Sequence, residues 1–257
     1  MMNKLKRNLR LLGVAAVFCG ALGILRAGED PGVYVCQRKD GDLVLDGKID
    51  KPIWKNKQVA RVFYKSKDKG LAKYQTEVYA MWDDDNLYIA AKMQDEDIVG
   101  LFKQRDDPIY KEDAFEVFFR PDPNATYIYE FEISPAGVIW DGLNKRTLNP
   151  YASDRSPEAT KAWNAEGLQS AVHLEGTLND SKDKDKFWSV EVKIPFKIFS
   201  EAAKVPPEKG TAWPIVFARC ESSVYVEKKV EWSANIPLLK YGEWENYVEW
   251  GKLLFSR

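Results

Sequence analysis

TEVYAMWDDDNLYIAAKM, residues 76–93, decides the fold class. In an extended chain, residues 87–93 place Leu87, Ile89, Ala91 and Met93 on one face and Tyr88, Ala90 and Lys92 on the other, the period of a half-buried strand. Residues 76–82 read the same way. Between them Asp83, Asp84, Asp85 and Asn86 predict a tight hairpin, because Asp and Asn side chains bond their own turn backbone. The period-two pattern recurs at 115–120, 127–134, 188–194, 215–220 and 252–255, with a further strand at 167–174. Many strands with short connections predict an all-β fold, an antiparallel β-sandwich of immunoglobulin-like or jelly-roll-like type. One or two short helices accompany it, a turn at 52–58 and a short helix over 196–203 capped near Ser200. Residues 144–166 are polar and aperiodic, with Pro150, Pro157 and Trp163, and form a long irregular excursion of the kind that is often functional. Residues 179–186 mix acids and bases without the glycine and spacing of a calcium hand, and read as a solvated hairpin tip.

The N-terminus carries a different signal. Lys4, Lys6, Arg7 and Arg10 precede an apolar run over 11–25 that ends near Arg26 and Ala27. This predicts a secretory signal peptide over 1–27 and a secreted or periplasmic protein, since the run is shorter than the roughly 20 residues of a spanning helix. A lipid anchor through Cys19 is the lesser alternative, because the bulky Phe18 stands before it. Removing 1–27 takes five bases and no acid from 38 and 39, which leaves 33 against 39. The surviving acidic excess offers no basic run for nucleic acid or an anionic membrane. Residues 28–257 are expected to form one domain. Cys36 and Cys220 remain in it, and export permits either a disulfide between them or two buried thiols.

The inventory of reactive groups is narrow. His173 is the one histidine, so a Ser-His-Asp arrangement or a multi-histidine zinc site has nothing further to build on. Acids abound, and a two-carboxylate glycosidase is open by inventory alone. Aromatics make up 13% of the chain. Most suit a sandwich core, but Tyr110 and Trp244 lie in charged loops just before strands. They either lid the edge of the core or face each other across a pyranose, whose apolar CH faces suit stacking and whose hydroxyls suit acids.

Five blocks in order carry a family resemblance: LDGKIDKPIW (45–54), WDDDNLYIAAK (82–92), the ED-x-x-EVFF strand (112–119), WSVEVKIPF (188–196) and the terminal WGKLLF (250–255). In these the chain resembles carbohydrate-binding module family 9, exported sandwiches that work beside glycoside hydrolases. The resemblance implies a non-catalytic binder of polysaccharide or oligosaccharide ends, with glycoside hydrolases as partners and no required cofactor. It implies an aromatic clamp of Tyr110, six residues before Glu116, and Trp244, seven before Gly251. It gives Glu116 a hydroxyl-binding role. Where sugar-binding members carry an arginine this chain has Glu132, and Arg219 is expected to supply the donor instead. Structural calcium in the family points to Asp95, Asp106 and Asp113 as hard oxygen ligands. Two alternatives accompany this reading: a haem-binding electron-transfer module using Met81, Met93 or His173, and a glycoside hydrolase acting through Glu116.

Overall fold

Residues 76–93 form the expected hairpin. Asp83 Oδ1 accepts the Asp85 and Asn86 amides at 3.0 and 2.8 Å, and the Tyr88 hydroxyl donates to Asp83 Oδ2 at 2.7 Å. The acid side chain therefore caps its own turn. The computed structural model of the 257-residue chain describes residues 32–66, 70–122, 124–146, 153–154, 163–222, 230–236 and 250–257. Its strands are β1 Val33–Arg38, β2 Gln58–Ala60, β3 Tyr64–Lys65, β4 Thr76–Trp82, β5 Asn86–Gln94, β6 Ala114–Phe119 and β7 Tyr127–Ile133. There follow β8 Ile139–Arg146, β9 Ser153–Asp154, β10 Gln169–Glu175, β11 Phe187–Pro195, β12 Ala212–Ser222, β13 Val230–Ala234 and β14 Gly251–Phe255. Among the described residues, helical structure is confined to 3-10 turns at Pro52–Trp54, Ile109–Lys111 and Phe196–Ile198. The expected signal peptide lies outside the described residues, among which no helix is long and apolar enough to cross a membrane.

Two layers face each other. One runs β10-β11-β5-β4 with β2 on its edge, and the other runs β14-β12-β6-β7-β8-β9 with β13 against β12. Their inner faces meet in one core. Val78, Ala80, Leu87, Ile89, Met93, Val190 and Val192 come from the first layer, and Phe115, Val117, Phe131, Ile215 and Phe217 from the second. One end is closed by aromatics, with Trp213 centred 4.9 Å from Phe199 and 5.0 Å from Phe255, and Phe255 5.3 Å from Trp82. The layout departs from a purely antiparallel one at β1. Its first four residues pair in parallel with β14 and its last two in parallel with β4, so it crosses from one sheet to the other.

The opening block is explained by a single buried acid. Glu191, on the outer face of β11 and fully buried, accepts the Asp46 and Gly47 amides at 2.9 and 3.0 Å, the Trp54 indole N–H at 2.7 Å and the Lys51 ammonium at 2.6 Å. The pattern Asp-Gly, Lys and Trp is thus the set of groups that dock loop 45–54 on a neighbouring strand. Gly47 is obligatory there. Its φ is +81°, and a Cβ would stand 2.3 Å from the Val172 carbonyl carbon, closer than non-bonded carbons approach. Trp54 then covers Met81, Tyr88 and Ala90.

Candidate functional site

Alternation along β6, β7 and β12 decides which side chains can meet. Phe115, Val117 and Phe119 point into the core, so Ala114, Glu116 and Phe118 point out. Glu116 lies opposite Glu132 of β7, and Glu132 lies opposite Trp140 of β8. On its other side Glu116 meets the small Ala218 of β12. One step along, Asn144 donates its amide to Glu130 in a short hydrogen bond. The Cys220 thiol donates to Glu116 Oε1 at 3.1 Å, and Trp232 of β13 stands opposite Cys220. Burial, with Glu116 and Glu132 close by, pushes that thiol well above its ordinary pKa. Three buried glutamates therefore line an outer face flanked by two half-buried indoles.

Tyr110 belongs to this face. It sits on the turn Ile109–Lys111, whose Ile109 packs into the outer-face cluster with Ala114, Val138, Cys220, Trp140 and Trp232. Tyr110 itself is 41% exposed, a ring at the rim with an open side. Trp244, the other expected jaw, lies outside the described residues.

Arg219 does not join them. Ile215 and Phe217 face the core, and Arg219 follows them inward at the same parity, opposite Phe115. Its guanidinium is 1% exposed, donates to Asp95 Oδ2 at 3.2 Å and makes a short hydrogen bond to Glu221. The expected sugar donor is instead a buried counter-ion, on the opposite face of the sheet from Glu116.

The expected calcium ligands also separate. Asp95 and Asp113 come together with Glu221, their ligand oxygens within 4.8 Å of one another. Asp106 is not part of that group. It lies near Asp141, the carboxylate that Arg105 grips at 2.6 Å. The Asp95, Asp113 and Glu221 oxygens fit a metal poorly, because Asp113 already accepts the Val99 and Ser222 amides at 2.6 Å each and Arg219 supplies positive charge. Burial raises all three acids, Glu221 to about 7, while Arg219 pulls Asp95 and Glu221 back down.

Cys36 and Cys220 are both free thiols. A bridge is ruled out by position, since Cys36 points into the main core and Cys220 out onto the glutamate face. The haem alternative gains no convergent ligands. Met93 is in the core, Met81 is outside beneath Trp54, and His173 lies in register with Lys92, four residues along β5 from Tyr88, the partner of Met81. A cleft of about 540 Å³ opens beside loop 45–54, lined by Asp40, Asp42, Lys51, Lys55 and Lys57 among others. It lacks an aromatic platform, and two of its lysines are held by Glu191 and Asp40.

Sequence reasoning missed Glu130, Trp140, Asn144 and Trp232. Of these, Trp140 carried a usable signal, lying in the EISPAGVIWDG stretch (132–142) that repeats the mixture of aromatics and acids found in the family blocks.

Comparison with known proteins gives a consistent picture. The model of the carbohydrate family 9 binding domain-like family matches residues 45–256. No curated protein matches the chain. Among solved structures it is similar to a carbohydrate-binding module family 9 from Caldicellulosiruptor kristjanssonii in complex with cellotriose. The TM-score is 0.54 and the identity 15%, over 87% of this chain and 93% of that one. The glucose complex of a family 9 module from that organism gives 0.54 and 16%, over 87% and 96%. A presumed carbohydrate-binding protein of Bacteroides uniformis gives 0.66 and 14%, over 88% and 99%. At such identities the likeness is one of fold.

Proposed function

Because the chain belongs to the carbohydrate family 9 binding domain-like family, we propose that it is an exported, non-catalytic carbohydrate-binding protein that holds the end of a saccharide on the outer face of β6, β7 and β8. The observation that carries this reading is the register pair of Glu116 and Glu132, beside Trp140 and under a rim where the Tyr110 ring is open to solvent. Tyr110 stacks on the apolar face of a pyranose, with Trp244 as its expected counterpart. Glu116 and Glu132 accept hydroxyl hydrogens, and acceptors so enclosed make stronger and more selective bonds than exposed ones. Saccharides bound by the similar Caldicellulosiruptor modules, cellotriose and glucose, supply the first probes. Service to glycoside hydrolases follows from the same chemistry, since even weak binding raises the local concentration of an associated enzyme on a polymer.

Calorimetry with cellotriose and glucose tests it. Dissociation constants from about micromolar to millimolar are expected, because each bound hydroxyl gives up a bond to water. Tyr110→Ala weakens binding about tenfold through lost stacking, and Glu116→Gln weakens it by a similar factor, with melting temperatures near the parent's. Unchanged affinity in both variants places the saccharide elsewhere, and hydrolysis of cellotriose that is lost on Glu116→Gln makes the protein a hydrolase.

A further inference from the structure

Cys220 stands where two sets of contacts cross. It is fully buried on the outer face of β12. Directly across on β13 is Trp232, whose indole N–H donates to the sulfur. Directly across on β6 is Ala114, and the next outward residue along that strand is Glu116, whose Oε1 accepts the S–H at 3.1 Å. One hydrogen-bonded line therefore runs from Trp232 through Cys220 to Glu116 over three neighbouring strands. Ile109 packs into the same cluster as Cys220, Ala114 and Val138, and the residue after it is Tyr110. The acid and the open aromatic ring thus share one buried support.

The choice of side chain fits this place. A cysteine packs like a small apolar residue and still carries a hydrogen to donate, so it joins an apolar cluster and serves a carboxylate at once. Burial, with Glu116 and Glu132 close by, holds the thiol well above its ordinary pKa. The sulfur therefore keeps its hydrogen at neutral pH and stays a donor instead of becoming a rival negative charge. A glutamate on a strand face has several staggered rotamers to choose from, and a donor fixed to the sheet at Oε1 selects among them.

We propose that Cys220 is a positioning residue for saccharide binding: braced by Trp232, its S–H holds Glu116 in the orientation from which the carboxylate accepts a sugar hydroxyl beneath the Tyr110 ring. This role presupposes the saccharide face described above and gives it a residue that acts through Glu116 without touching the ligand. An acceptor ordered before the ligand arrives costs less to order on binding. Loss of the thiol therefore weakens affinity without removing any direct contact.

The test is calorimetry with cellotriose on the mature parent, on Cys220→Ala, Cys220→Ser and Glu116→Ala, and on Cys220→Ala combined with Glu116→Ala. Cys220→Ala binds about three- to tenfold more weakly, the worth of one hydrogen bond. Cys220→Ser, which still donates and accepts, stays within about twofold of the parent. On the Glu116→Ala background Cys220→Ala costs nothing further, because the thiol acts only through that acid. Infrared absorption supplies a readout that packing would not move: the S–H stretching band that Cys220→Ser removes shifts when cellotriose is added to the parent. That band carries the test should Cys220→Ala not fold. Parent affinity in Cys220→Ala, equal losses in Cys220→Ser and Cys220→Ala, multiplied losses in the double variant, or an S–H band unmoved by cellotriose each overturn the proposal while Glu116→Ala still weakens binding. A parent that binds neither cellotriose nor glucose instead overturns the saccharide reading itself, and this role with it.

Discussion

Glu191→Ala lowers the melting temperature by about 10 °C or more, although the residue is remote from the glutamate face. The side chain takes bonds from two backbone amides, the buried Trp54 indole and the Lys51 ammonium. Its removal strands the two amides and the indole on the outer face of β11, while Lys51 keeps the Val44 carbonyl and Asp46. Each buried donor left without an acceptor costs about 1 to 3 kcal/mol, so the three together cost about 3 kcal/mol or more. For a domain of this size each kcal/mol moves the midpoint by about 2 to 4 °C. Glu191→Gln keeps an acceptor for part of the set and falls between parent and alanine variant. Tryptophan fluorescence during thermal unfolding measures both, and a shift below about 2 °C for alanine would mean that loop 45–54 is held by something other than this acid.

Arg219→Met has an effect of similar size with a distinct pH signature. The parent stacks Asp95, Asp113 and Glu221 within 4.8 Å of one another around one guanidinium. Methionine fills much of the volume and leaves the carboxylates without a cation, a loss of about 3 to 5 kcal/mol at pH 8. Acid relieves it. Burial already raises Glu221 to about 7 in the parent, above its unfolded value of about 4.3. A raised carboxyl stabilises the folded state below its unfolded pKa, and that contribution is lost as pH rises through the folded pKa. Without Arg219 the acids titrate higher still, so the gap between parent and variant narrows from pH 8 to pH 5.5. Melting curves in chelator at both values check this, and a gap independent of pH would show that Arg219 acts by packing alone.

Much of the fold was legible because half-buried strands advertise themselves. The runs at 76–82 and 87–93 became β4 and β5 almost to the residue, and the Asp83 turn formed for the expected reason. β8 stayed hidden because its buried Asp141 and Asn144 read as loop residues, and only their partners Arg105 and Glu130 make them tolerable inside. The parallel pairing of β1 stayed hidden because it is set by distant strands rather than by the strand's own pattern. The site was legible in part. Parity along β6 and β7 brings Glu116 and Glu132 together, and parity along β12, readable from Ile215 and Phe217, already sends Arg219 the other way. The family blocks themselves are largely scaffold: Trp54, Trp82, Trp188, Phe196 and Phe255 are all buried.

The parallel pairing of β1 with β14 bears on mechanics. Val33 pairs with Lys252 and Cys36 with Phe255, so chain entering before Val33 and leaving after Phe255 departs from opposite ends of one ladder. Tension applied through those two flanks shears the rungs together instead of unzipping them singly. A sandwich threaded in this way resists unfolding by force applied along its chain ends.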